Sequence, residues 1–137
     1  MNPDQALRGA RILIAEDDEL LALDMMDLLE NAGTEILGPA ATLARTLILA
    51  RSASLACAVL DVNLDQELVF PAALVLRKRG VRIIFYTGSG QFERLRRDWP
   101  DACVLAKPAP HNLLMQSVRQ ACCGLASVPL GAGEHCL

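Results

Sequence analysis

The chain has 137 residues, of which 53% are hydrophobic and 21% charged, and its formal net charge is −3. That length holds one domain with one core, and the apolar content excludes an intrinsically disordered chain. No basic stripe with interleaved aromatics points to nucleic acid, the apolar runs fall short of a bilayer span, and the opening MNPDQALRGARILIAEDD meets charge too early for a signal peptide, so a cytoplasmic protein without membrane or nucleic-acid partners is expected.

The elements alternate. RILIAE (11–16) reads as a short buried strand ending in acids. Residues 19–32 carry Leu21, Met25, Leu28, Leu29 and Ala32 at helical spacing, and Gly33 stops them. Asp18 is expected to cap that helix and Glu19 to favour its dipole. TEILG (34–38) is a weaker strand, and TLARTLILARSA (42–53) a helix with Thr42 as N-cap. CAVLD (57–61) is the third strand, 62–70 a loop, and PAALVLRKRG (71–80) a helix opened by Pro71 and closed by Gly80. VRIIFYTG (81–88) is the most β-branched run and reads as a central strand. QFERLRRD (91–98) is a short exposed helix, Trp99 is expected to pack near the next strand, ACVLAK (102–107) is the fifth strand, and HNLLMQSVRQACC (111–123) the last helix, begun by His111. Residues 1–10 form an extension, 11–123 the domain, and 124–137 a loose, glycine-rich tail.

Of the five cysteines, Cys57 and Cys103 lie in apolar runs and read as small buried hydrophobes. An odd count without a secretion signal argues against a disulfide framework. The spacing of Cys122, Cys123 and Cys136, with His135, fits a metal site poorly.

Five β-α units with buried strands imply an α/β fold, a doubly wound five-stranded parallel sheet with helices on both sides. Ligands gather beyond the carboxyl ends of such strands. Those ends here are Glu16-Asp17-Asp18-Glu19, Asp61, Thr87-Gly88-Ser89 and Lys107-Pro108. Adjacent carboxylates raise one another's pKa unless a cation joins them, and Mg²⁺ suits a site of few oxygen ligands. An aspartate can accept a phosphoryl group as an acyl phosphate, and Asp61, held at a strand end, is the best-placed nucleophile.

In this order, acid pair, aspartate, threonine and lysine, the chain resembles the receiver domain of response regulators over residues 11 to about 123, a flavodoxin-like (βα)5 fold. The resemblance implies that Asp17 and, through water, Glu16 bind Mg²⁺ together with Asp61 and the backbone carbonyl of Asn63. It implies that Asp61 is the phospho-acceptor and that Thr87 and Lys107 bind the phosphoryl group. Gly88 matches a position kept small, and Lys107-Pro108 one that is usually cis. FYTGSG (85–90), DVNL (61–64) and GPAAT (38–42) resemble the stand-alone alphaproteobacterial receivers nicknamed FAT GUY. The donor would be a histidine kinase or histidine phosphotransfer protein. Output would pass by phosphorelay or by a downstream protein binding the 91–123 surface of a monomer or weak homodimer.

The chain departs from that family pattern in several places. The usual proline four residues after the acceptor is Asp65, which alters the 62–70 loop. The usual aromatic switch residue is Val104, so threonine–aromatic coupling cannot operate in that form. Alternation points Tyr86 to the face opposite Thr87, which makes it a poor substitute. Ala109 stands where phenylalanine is common, which is expected to loosen the start of the last helix. Short, neutral Asn63 and Ser89 flank the acceptor and imply slow to moderate phosphoryl decay. Two other functions fit less of the pattern. One is a receiver fold that binds partners without phosphorylation. The other is a Mg²⁺-dependent aspartyl phosphatase, which Asn63 in place of a second acid disfavours. No classical enzyme activity is expected.

Overall fold

The computed structural model describes Gln5, residues 7–52, 54–88 and 90–123, and the backbone of 135–136. In chain order it contains β1 (Arg11–Ala15), α1 (Glu19–Asn31), β2 (Glu35–Ala40), α2 (Leu43–Ser52), β3 (Cys57–Leu60), β4 (Asn63–Leu64), β5 (Glu67–Leu68), α3 (Phe70–Lys78), β6 (Arg82–Thr87), α4 (Phe92–Asp98), β7 (Cys103–Ala106), α5 (His111–Cys122) and β8 (His135–Cys136). The sheet runs β2-β1-β3-β6-β7-β8, and its first five strands are parallel. This is the doubly wound five-stranded sheet that the alternating pattern implies.

β1, β3 and β6 are apolar almost throughout because both of their faces are covered. Alternate residues of these strands and of β7 divide the core in two. Leu13, Ala15, Ala58, Leu60, Ile83, Phe85 and Val104 face one way, against apolar residues of α2, α3 and α4. Ile12, Ile14, Cys57, Val59, Ile84, Tyr86 and Leu105 face the other, against α1 and α5. Burying each large side chain contributes about 1.5–3 kcal/mol before entropy is charged against it. On the first face Phe70, Phe85 and Trp99 meet with ring centroids 5.4–6.2 Å apart, and the Arg77 guanidinium lies 3.9 Å over Trp99.

The helices start where their sequences say. Asp18 accepts hydrogen bonds from the Leu20 and Leu21 N–H groups, and Thr42 Oγ1 accepts one from Arg45 N–H. Ala22, Met25 and Leu29 then bury one stripe of α1. The 62–70 segment differs from the expected loop. β4 and β5 pair as a hairpin, with Asn63 opposite Leu68 and Leu64 opposite Glu67. Asp65 and Gln66 between them have φ of 47° and 70°, the two positive values that a tight two-residue hairpin turn needs. At the other edge the backbone of His135–Cys136 pairs antiparallel with β7. The remainder of the expected tail, residues 1–4 and 6 of the expected extension, and Ser89 lie outside the described residues. Cys103 is buried as expected, but it is disulfide-bonded and not a free thiol.

Candidate functional site

Parallel pairing carries the strands to a common edge, and the residue after each strand extends its ladder by one bond. Glu16 N–H donates to the Ala40 carbonyl at 2.9 Å, Asp61 N–H to that of Ala15 at 2.9 Å, and Lys107 N–H to that of Thr87 at 3.1 Å. Gly38 makes the first of these possible. Leu13 pairs with Leu37 but Ala15 with Ala40, so β2 holds one extra residue in a bulge. Gly38 sits there at φ 100°, where a Cβ would lie 2.7 Å from the Ile14 carbonyl oxygen.

The ammonium of Lys107 lies between two acids, 2.5 Å from Glu16 Oε1 and 2.9 Å from Asp61 Oδ2. Glu16 Oε2 accepts the Asp18 N–H at 3.1 Å. Asp17 points outward and its Oδ2 accepts the Asp65 N–H at 2.9 Å. Carboxylate oxygens of Glu16, Asp17 and Asp61 all lie within 4.8 Å of one another.

Burial of Glu16 pushes its carboxyl up to about 7, against the pull of Lys107 and the Asp18 N–H. The Asp65 N–H holds Asp17 below its ordinary range. Burial works against the Lys107 ammonium, but its bonds to Glu16 and Asp61 outweigh burial and raise its pKa. Three carboxylates against one ammonium leave excess negative charge, since Lys107 is shared between Glu16 Oε1 and Asp61 Oδ2. An all-oxygen donor set with unspent negative charge fits a hard divalent cation such as Mg²⁺.

Four expected site residues, Glu16, Asp17, Asp61 and Lys107, therefore meet. Thr87 ends β6, the strand between β3 and β7, with its side chain fully buried. Asn63 lies two residues beyond Asp61 with its side chain exposed, and only its backbone carbonyl was expected to contribute. Three ties escaped the sequence reading. They are the Asp65 N–H on Asp17, the Tyr86 hydroxyl accepting the Ala109 N–H at 2.9 Å, and His111 Nε2 against Asp24 Oδ2 at 2.8 Å. The last joins the start of α5 to α1, so His111 does more than begin the helix. Residue type gave a hint only at 65 and 109, where the chain leaves the family pattern.

Solved structures resemble this architecture closely. A response regulator receiver protein from Sinorhizobium medicae WSM419 superposes with a TM-score of 0.75 at 25% identity, covering 85% of this chain and 96% of its own. The receiver domain of the PhyR response regulator from Erythrobacter litoralis gives 0.74 at 25% identity, covering 93% and 99%. The chain folds as a response regulator receiver domain. SdrG from Sphingomonas melonis Fr1 aligns with this receiver at 29% identity and a TM-score of 0.65, covering 84% and 97%. No protein-family profile and no curated protein matches in sequence. In this receiver the acidic cluster lies at the carboxyl ends of β1 and β3, where parallel α/β sheets place their ligands.

Proposed function

We propose that this receiver accepts a phosphoryl group on Asp61 from the phosphohistidine of a histidine kinase or phosphotransfer protein. The observation that carries this reading is Lys107 bridging Glu16 Oε1 and Asp61 Oδ2 beside a third carboxylate. Glu16, Asp17, Asp61 and the Asn63 carbonyl would hold Mg²⁺, which when bound offsets the charge on the phosphoryl oxygens. An Asp61 oxygen bonds phosphorus as the donor's P–N bond breaks and its imidazole leaves with the electron pair, giving an acyl phosphate. Lys107 then exchanges its contact with Asp61 for one with the new phosphoryl oxygens, and the Thr87 hydroxyl donates to them. Water later cleaves the acyl phosphate. Short, neutral Asn63 beside the acceptor gives that water little help, which supports slow to moderate decay.

Output passes to a protein partner at the 91–123 surface or onward by phosphorelay, as expected for a cytoplasmic signalling protein. The likeness to PhyR receivers and the FYTGSG stretch support the FAT GUY subgroup. Incubation with acetyl phosphate, followed by intact mass, tests the reading. A single base-labile phosphoryl adduct is expected with Mg²⁺ present, and none with Asp61→Asn or without Mg²⁺. Failure of the wild type to label would favour a receiver fold that binds partners unphosphorylated.

A further inference from the structure

Lys107 meets two carboxylates only if the segment after β7 holds it there. Its own N–H bonds the Thr87 carbonyl, and two residues on the Ala109 N–H donates to the Tyr86 hydroxyl at 2.9 Å. Tyr86 is 3% exposed, so its ring is fixed by the packing of Leu105, Leu114 and other residues of the α1–α5 face. Its centroid lies 5.9 Å from Lys107 Nζ. Ala109 packs against the same cluster. The other face carries Val104, whose short branched side chain is locked among Phe85, Trp99 and their neighbours and has no polar atom with which to follow a change at the site.

We propose that Tyr86 is the positioning residue for Lys107, and that its hydroxyl links movement at Lys107 to the start of α5 on the α1–α5 face. This rests on the phosphoryl-acceptor reading for its consequence but not for its geometry. The phenol accepts from a backbone N–H, and the backbone it holds carries the lysine. A rigid ring on the adjacent strand thus restrains an otherwise long, flexible side chain from below. When Lys107 turns from Asp61 toward phosphoryl oxygens, strain on the 107–109 backbone falls on the Tyr86–Ala109 bond. The residues that register it are at the start of α5, where His111 pairs with Asp24 of α1. Sheet alternation makes Tyr86 a poor stand-in for an aromatic that responds on the α4 side. It leaves Tyr86 free to serve on the opposite side.

Tyr86→Phe keeps the ring and deletes the acceptor. Amide exchange by NMR, without phosphodonor, should rise at least tenfold at Ala109 and Lys107 and change less than twofold at Leu105 and Val59. At saturating Mg²⁺ and acetyl phosphate, adduct formation should slow three- to tenfold. A merely structural role would raise all four amides together. That result, continued protection of Ala109, or labelling at the wild-type rate would overturn the proposal. If the wild type forms no adduct, the acceptor reading fails by itself and the exchange pattern still decides the role of Tyr86.

Discussion

Asp65 has a backbone N–H and a φ of 47°, and proline, usual at this position, allows neither. The N–H is spent on Asp17 Oδ2, so the departure that was expected to alter the 62–70 loop ties the β4–β5 turn to a carboxylate of the cluster. Asp65→Pro should lower the melting temperature and weaken Mg²⁺ binding about three- to tenfold, the equivalent of one lost hydrogen bond of ~1 kcal/mol. Asp65→Gly retains the N–H and the positive φ and should bind Mg²⁺ almost normally. Calorimetric titration of both variants checks this, and equal affinities would show that the turn does not support Asp17. Asp17 and Asp61 stood out in sequence because each follows an apolar strand. The Asp65 tie did not, because a backbone donor leaves no mark in residue type.

Strands and helices were readable because their patterns are strong. β3 and β6 are unbroken apolar runs, and α1 carries a cap, a buried stripe and a stop. The hairpin of β4 and β5 was missed because two-residue strands are too short for any periodicity, and Asp-Gln is an unusual pair for a turn with two positive φ values. Gly38 in GPAAT was recognised only as part of a resemblance. Its reason is steric, since the bulge that places Glu16 N–H on Ala40 brings the Ile14 carbonyl against any Cβ. Gly38→Ala should destabilise the fold by about 2–3 kcal/mol, whereas Thr42→Ala, which removes the α2 cap, should cost about 1 kcal/mol. Urea denaturation ranks the two, and a larger loss for Thr42→Ala would contradict the bulge argument.

Taken as a whole, the molecule is a sheet with two cores and a charged edge, and stability should depend on pH through that edge. Glu16 is raised from 4.5 to about 7, so the fold favours its neutral form. Its contribution is complete below 4.5 and is lost as pH rises through about 7. Asp17 is lowered, so its contribution is present above 3.8 and is lost as pH falls through its depressed value. A cation on the cluster reverses the Glu16 penalty, because it favours the carboxylate. Mg²⁺ should therefore raise the melting temperature more at pH 8 than at pH 5.5. An equal rise at both would remove Glu16 from the binding set.

The central claim is that the Asp61 oxygen, alone among these carboxylates, bonds phosphorus. Borohydride reduction of the phosphorylated protein followed by peptide sequencing reads this directly, because an acyl phosphate is reduced to the alcohol of homoserine at an aspartate. Homoserine at position 61 and nowhere else is the predicted result. Reduction at Glu16, Asp17 or Asp65, or labelled protein with Asp61 intact, would contradict it.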